Sequence, residues 1–169
     1  LAGGVSGEDA GLIEAEARDP ALGFVGDVLG VNPAILERLL AEDLIPVVST
    51  IGADASGQAY NINADAVADA VAEALGAEKI IYLTDVEGLL ADRADPSSLI
   101  NRIDDAALQA LVDDGTLTGG MIPKIASCLH AVGHGVGSAH LLDGRLPHVV
   151  LLELFSDAGI GTMITGSTP

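Results

Sequence analysis

The sequence predicts an α/β protein, a three-layer αβα sandwich with a mostly parallel open sheet, in one domain over residues 1–169. Two observations lead there. The runs Ile45-Pro46-Val47-Val48-Ser49-Thr50-Ile51, Ile80-Ile81-Tyr82-Leu83-Thr84 and Ala139-His140-Leu141-Leu142-Asp143 are nearly continuous in apolar residues, as strands covered on both faces are. Between them lie segments whose apolar residues recur three and four apart, the period of a helix with one covered face. A third observation sets the core chemistry. With 49% hydrophobic but only 2% aromatic residues, the interior has to be built from Ala, Val, Leu and Ile, and the apolar share excludes a disordered chain.

The elements follow in order. Gly23-Phe24-Val25-Gly26-Asp27-Val28 alternates like a half-buried strand. Asn32 caps a helix with Pro33 at its first position, and Ile35, Leu36, Leu39 and Leu40 supply its apolar stripe. The run from Ile45 reads as a buried strand, and Asp54-Ala55-Ser56-Gly57 as a turn. Asn63 caps a helix running to about Leu75 and closed by Gly76, with Val67, Ala70, Val71, Ala74 and Leu75 buried. Asp65, Asp69 and Glu73 recur every fourth position as an acidic stripe on its solvent face. The second buried strand, from Ile80, runs into Asp85-Val86-Glu87-Gly88. Helices are expected over residues 104–114 and 121–130, followed by the third buried strand from Ala139. Pro147 opens a last helix, and Gly161-Thr162-Met163-Ile164 is a final strand. No internal repeat or linker interrupts the series.

Charge narrows the partners. The chain carries 25 acidic against seven basic residues, a formal charge of -18, which repels nucleic-acid backbones and anionic membrane surfaces. Because the acids are scattered, they read as a solvated surface. Cys128 is the single cysteine, so no internal disulfide forms and no metal site is expected. His130 and His134 lie one helical turn apart but lack a third ligand in view, and read as surface histidines near a helix end. No apolar run approaches the roughly 20 residues of a membrane span, and no secretory leader is read, so a cytoplasmic location is expected. The chain starts at Leu1 rather than methionine, as a fragment or trimmed product would.

Two segments point to chemistry. Tyr60-Asn61-Ile62-Asn63-Ala64-Asp65 sets two amides and a carboxylate where the chain enters a helix. Gly119-Gly120-Met121-Ile122-Pro123-Lys124 sets a lysine in the first turn of another. Helix N-termini direct unpaired N–H groups and partial positive charge outward, a natural seat for an anion. Each residue also has an ordinary reading. Asp65 in a first turn is favoured by the dipole alone, and Asn61 can bond its own backbone. Lys124 can be a solvated lysine, although at a helix N-terminus it opposes the dipole and invites a phosphate. Thr84-Asp85-Val86-Glu87-Gly88-Leu89 leaves a buried strand, where ligands of open α/β sheets bind, or is a plain turn using a positive φ at Gly88. No GxxxxGK[ST] loop is present and no GxGxxG fingerprint follows a strand, which disfavours Walker-type nucleotidases and dinucleotide dehydrogenases.

Taken in order, these segments resemble the N-acetylglutamate kinases of the amino-acid kinase superfamily. The likeness also includes Gly23-Phe24-Val25-Gly26, Ile45-Pro46-Val47-Val48, Ala77-Glu78-Lys79, Leu142-Asp143-Gly144-Arg145, Glu153-Leu154-Phe155 and Gly161-Thr162-Met163-Ile164. The resemblance implies phosphorylation of the γ-carboxylate of N-acetyl-L-glutamate by ATP with Mg2+, in arginine biosynthesis. It implies that Asn61 binds the acetylated amino acid and that Lys124 stabilises the transferring phosphoryl group. Asp65 would organise the catalytic lysines, and Thr84, Asp85, Gly88, Leu89, Leu117 and Met121 would enclose ATP. His140, Glu153 and Gly159 match positions associated with inhibition by L-arginine, and the full-length family is expected to be homo-oligomeric. The family's amino-terminal substrate domain, with its glycine-rich phosphate loop, has no counterpart in this sequence. The chain is therefore expected to be the carboxyl-terminal, nucleotide-binding part, with little activity alone. Other readings stay open: another amino-acid kinase acting on carbamate, aspartate or a nucleoside monophosphate, or a non-catalytic module sensing arginine or nucleotide.

Overall fold

The computed structural model describes residues 1–92, 94–117, 119–156 and 159–167. The chain separates into two compact units, Leu1–Leu75 and Gly76–Pro169. Both mix helices with strands, as the α/β expectation required.

The first unit runs β1 (Ala2–Ser6), β2 (Ile13–Ala17), β3 (Val25–Val31), α1 (Ala34–Ala41), β4 (Ile45–Ser49), β5 (Ile51–Ala53), β6 (Ala59–Ile62) and α2 (Ala64–Ala74). β1 and β4 pair in parallel, while β2, β3, β6 and β5 close into a small barrel. Three of these strands, β1, β2 and β6, were not expected from the sequence, which reads residues 60–65 as a loop entering a helix. Ala-Gly-Gly-Val-Ser and Ile-Glu-Ala-Glu-Ala contain few strong strand formers, and their state is set by partners distant in the chain, such as Ser49 opposite Ser6. A correction applies to β4. It has one neighbour in a two-stranded sheet, so Ile45 (64% exposed) and Val47 (58%) face outward and the strand is not buried.

Leu12, Ile13, Ala15, Leu36, Ile62 and Val67 form the heart of this unit. β3 lies so close to its neighbours that a Cβ added at Gly26 would sit 2.7 Å from Tyr60 Cβ and 2.8 Å from the Glu16 carbonyl oxygen. The Asn32 side chain accepts the Ala34 N–H (3.3 Å), so it does cap the entry to α1, with Pro33 just ahead of the helix. The expected turn at residues 54–57 is tied by the Asp54 carboxylate, which accepts the Ser56 and Gln58 N–H groups. α2 begins as expected: Asn63 Oδ1 accepts from the N–H groups of Asp65 (2.9 Å) and Ala66 (3.3 Å), and Gly76 follows with φ 58°. Its acidic stripe needs correction. Asp69 is buried, because it shares a face with Ala72 three residues on, which is also buried. Glu73 alone of the three acids is fully on the solvent side, Asp65 being half-buried.

The second unit contains β7 (Lys79–Thr84), β8 (Arg102–Asp104), α3 (Asp105–Asp113), α4 (Ile122–Gly133), β9 (Ser138–Asp143), α5 (Val149–Phe155) and β10 (Thr162–Thr165). Its sheet has the order β7-β9-β10-β8. β7 and β9 are parallel, β10 runs antiparallel to β9, and β8 is parallel to β10. The carboxyl ends of β7 and β9 therefore share one edge of the sheet, and those of β8 and β10 the other. All six residues of β9 are buried, as the continuous run predicted. β7 is different: it ends the sheet, Ile80, Tyr82 and Thr84 point inward, and Leu83 is 54% exposed. α4 outruns its expected end, reaching Gly133 and burying Ile125, Cys128, Ala131 and Val132. α5 starts at Val149 rather than Pro147, after His148 with φ 62°. No helix among the described residues is long and apolar enough to cross a membrane.

The Gly26 contacts give a direct test of the barrel. Gly26→Ala drives a methyl against a backbone oxygen and a Cβ, neither of which can swing away. Urea denaturation should show a loss of about 2 kcal/mol, in the range of overpacked cores. An unchanged midpoint would mean that β3 and β6 do not approach as described.

Candidate functional site

β7 and β9 end side by side, with Thr84 opposite Asp143. The Thr84 carbonyl accepts the Gly144 N–H (2.8 Å), joining the two exits. Residues 84–89 then form a tied turn. Thr84 Oγ1 donates to the Val86 carbonyl (2.8 Å) and accepts the Val86 N–H (3.1 Å). Gly88 has φ 148°, a conformation that favours glycine. Leu89 is 1% exposed, its N–H donating to Thr162 Oγ1 (2.9 Å) and its carbonyl accepting from Ile100 N–H (2.8 Å). The four turn residues expected to act together, Thr84, Asp85, Gly88 and Leu89, do lie on one structural unit.

Beside this turn stands a pair that the sequence reading did not single out. The buried Asp143 carboxylate accepts from Arg145 Nε and Nη2, both at 2.8 Å, and from Arg145 N–H at 3.0 Å. These bonds, led by the guanidinium, hold the Asp143 carboxyl below the usual carboxylate range. The Arg145 guanidinium is held above its ordinary value, first by Asp143 and also by the charges of Asp85 and Glu87. A cation thus stands where the acids of the 84–89 turn are felt. An aspartate two residues before an arginine, at a strand end, is the signal that could have found it.

Lys124 occupies the first turn of α4 and is half-buried. That turn carries no acid, and Met121 at its start makes no side-chain capping bond. α2 and α3 differ, being capped by Asn63 and by Asp104, whose Oδ1 accepts the Ala107 N–H at 2.7 Å. Met121 is half-buried. Leu117 is a core residue, 5% exposed, with its N–H on the Leu111 carbonyl (3.0 Å) behind α3.

Asn61 and Asp65 belong to the first unit, at the passage from β6 to α2. Asn61 is a strand residue rather than a loop one: its N–H donates to the Phe24 carbonyl (2.8 Å), and it faces Val25 and Ile51 across the ladders. Its side chain is exposed and makes no hydrogen bond among the described residues. Asp65 sits in the first turn of α2.

His140, Glu153 and Gly159 come together. His140 Nδ1 meets Glu153 Oε1 (2.8 Å) and its Nε2 meets Ser138 Oγ (2.9 Å). Glu153 Oε2 accepts the N–H groups of Ile160 (2.8 Å) and Gly161 (3.4 Å). The His140 and Glu153 side chains are 5% and 6% exposed, and a Cβ at Gly159 would lie 3.0 Å from Glu153 Oε2. Burial pushes the Glu153 carboxyl up, but the Ile160 N–H, the bond and charge of His140, and the Gly161 N–H outweigh it and leave it below its ordinary value.

His130 and His134 stack with ring centroids 4.0 Å apart, both exposed, and His134 Nδ1 meets the His130 carbonyl at 2.8 Å. No group of three or more His, Cys, Asp or Glu residues among the described residues is arranged to hold a metal. An open cleft of about 540 Å³, lined by residues including Arg102, Asp104, Thr165 and Ser167, lies at the opposite sheet edge, where β8 and β10 end.

Comparison with known proteins adds an independent line. Residues 2–143 match the Amino acid kinase family. The chain is 51% identical over 165 residues to the acetylglutamate kinase of Thermosynechococcus vestitus (strain NIES-2133 / IAM M-273 / BP-1), covering 97% of this chain and 56% of the relative. It is 52% identical over 168 residues to the acetylglutamate kinase of Nostoc sp. (strain PCC 7120 / SAG 25.82 / UTEX 2576), covering 99% and 57%. Among solved structures, N-acetylglutamate synthase from Neisseria gonorrhoeae, complexed with coenzyme A and N-acetyl-glutamate, superposes with a TM-score of 0.84 at 26% identity. That match covers 98% of this chain and 38% of the other. The chain spans just over half the length of these curated relatives.

The lowered Glu153 carboxyl makes a pH prediction. A depressed carboxyl stabilises the fold above its unfolded value, here the ordinary 4.5, and that stabilisation is lost as pH falls through the folded value. Glu153→Gln should cost about 2 kcal/mol at neutral pH, the scale of hydrogen bonds to a charged group. In urea titrations at neutral pH and at an acid pH below 4.5, the gap to wild type should be smaller in acid. A gap of equal size at both pH values would show that the charge of Glu153 is not what binds the segment.

Proposed function

Because the chain belongs to the amino acid kinase family, we propose that it is the nucleotide-binding portion of an enzyme phosphorylating N-acetyl-L-glutamate with ATP. The observation that carries this reading is the identity of about one residue in two with acetylglutamate kinases over nearly the whole chain. The geometry supports it. The 84–89 turn and Arg145 stand outside the carboxyl ends of two neighbouring parallel strands, the crevice in which open α/β sheets bind ligands. α4 offers an N-terminus without a side-chain cap or a first-turn acid, together with a lysine.

In this reading Lys124 and the first-turn N–H groups of α4, with Pro123 contributing none, hold the phosphoryl oxygens on which negative charge develops. Positioned charge of this kind supplies most of the catalysis in phosphoryl transfer. The nucleotide rests against the turn carrying Thr84, Asp85, Gly88 and Leu89, with Met121 at the helix entry and Leu117 packed behind. Asn61 offers its uncommitted amide to the acetylated amino acid, and Asp65 orients lysine ammonium groups. Mg2+ would arrive on the nucleotide phosphates and neutralise their charge. The product would be an acyl phosphate on a carbon chain destined for arginine. Supplying one part of the site, the chain by itself would turn over little, and the complete enzyme would be a cytoplasmic homo-oligomer.

Inhibition by L-arginine belongs, in the same reading, to the His140–Glu153–Gly159 cluster. A carboxylate accepts about four hydrogen bonds. Glu153 has three donors in place, from His140, Ile160 and Gly161, which leaves lone-pair capacity for one more, from a guanidinium.

Calorimetric titration of the chain with Mg-ADP, beside Lys124→Ala, tests the proposal. Wild type should bind saturably, and the variant should bind about 10- to 100-fold more weakly, the loss of one charge-assisted contact. Equal affinity of the two proteins would remove Lys124 from the phosphates, and absence of binding by folded wild type would contradict the nucleotide reading.

A further inference from the structure

Leu89 closes the turn at the end of β7, and its buried N–H has one acceptor, the hydroxyl of Thr162 at 2.9 Å, 73 residues away in sequence. Thr162 is itself wholly buried at the start of β10. The same hydroxyl fills the space left open by Gly88, where an added Cβ would lie 2.7 Å from Thr162 Oγ1. The other side of Leu89 is tied as well, its carbonyl to Ile100 N–H. A buried N–H stripped of its acceptor costs far more than an exposed one, so the turn depends on that single oxygen.

Thr162 is held in turn from the opposite direction. The two N–H groups just before it, of Ile160 and Gly161, donate to Glu153 Oε2, whose partner oxygen is fixed by His140. His140 ends on Ser138 Oγ at the beginning of β9, and the N–H after Thr162, of Met163, donates to the Asn101 carbonyl at 2.9 Å. One hydrogen-bonded path thus runs from Ser138 through His140, Glu153, the backbone at 160–161 and Thr162 to Leu89. It connects a buried polar cluster to the turn that faces the crevice, within one compact unit.

We propose that Thr162 is a positioning residue for this turn, its hydroxyl setting the shape of residues 84–89, and that the Glu153 clamp sets Thr162. The role in nucleotide affinity rests on the functional reading above; the structural role does not. Thr162 touches no ligand in this account. It acts through Leu89 and Gly88, so loss of the hydroxyl loosens the turn while the β-branched shape of valine still fills the strand.

Amide hydrogen exchange and Mg-ADP titration of wild type, Thr162→Val and Thr162→Ser separate the two claims. In wild type the Leu89 amide should exchange only through near-global opening, a measurement that needs no variant. Thr162→Val should exchange at Leu89 at least about 10-fold faster and bind Mg-ADP at least about 5-fold more weakly, as expected for one stranded buried donor. Thr162→Ser, which keeps the hydroxyl, should restore both to within about 2-fold of wild type, whereas a role in packing alone would leave it impaired through the lost methyl. Fast exchange at Leu89 in wild type, or a valine variant that matches wild type in exchange, overturns the positioning role. Normal exchange with no nucleotide binding by wild type overturns the functional half and leaves the positioning role supported. A valine variant with loosened Leu89 but unchanged affinity overturns the link between the turn and the nucleotide.

Discussion

A polar group on a fully buried strand must be given a partner, and β9 carries three of them. Ser138, His140 and Asp143 are all buried, because β9 lies between β7 and β10 in the sheet and all six of its residues are covered. Leaving such groups unpaired would cost on the order of 1–3 kcal/mol each. The partners recruited to avoid this cost are the loops that matter. Asp143 orders the backbone and side chain of Arg145 at the carboxyl end of the strand. His140 bonds Ser138 and reaches Glu153 on α5, which fixes the approach to β10. No buried side-chain nitrogen or oxygen among the described residues lacks a partner. Satisfaction of the central strand and shaping of the crevice are, in this unit, one process.

The parallel pairing of β7 with β9 has the complementary effect. It brings Thr84 and Asp143 to the same edge, so two loops far apart in sequence are joined by the Gly144–Thr84 bond. The reversed direction of β8 and β10 sends their carboxyl ends to the other edge, where a separate cleft lies. Topology alone therefore distinguishes two ends of the sheet. In the proposed reading, the end with Arg145 and the tied turn is the one that takes the nucleotide.

Local signals in the sequence were a good guide where the physics is local. Asn63 and Gly76 bracket α2 because a side-chain oxygen and a residue at positive φ solve the problem of helix ends within a few residues. β9 was legible since a continuous apolar run buried on both faces looks the same in any context. β1 and β2 were not, because their strand state depends on pairing with residues elsewhere in the chain. The helical period assigned Asp69 to solvent, whereas the covered face of α2 includes Ala72 and takes Asp69 with it. Of the candidate site, the 84–89 turn was visible as a segment, while His140, Glu153 and Gly159 were reached only through the family resemblance. The Thr162–Leu89 bond and the Asp143–Arg145 pair were not visible, the first because it spans 73 residues and the second because its acid is buried only in the assembled sheet.

The claim on which the account turns is that nucleotide binds at the edge where β7 and β9 end. Amide hydrogen exchange of the chain, with and without saturating Mg-ADP, tests it most directly. The account predicts protection on binding at residues 84–89, 121–124 and 143–145, with residues 102–104 and 165–167 unchanged. Protection confined to 102–104 and 165–167 would put the ligand in the cleft at the opposite edge and contradict it.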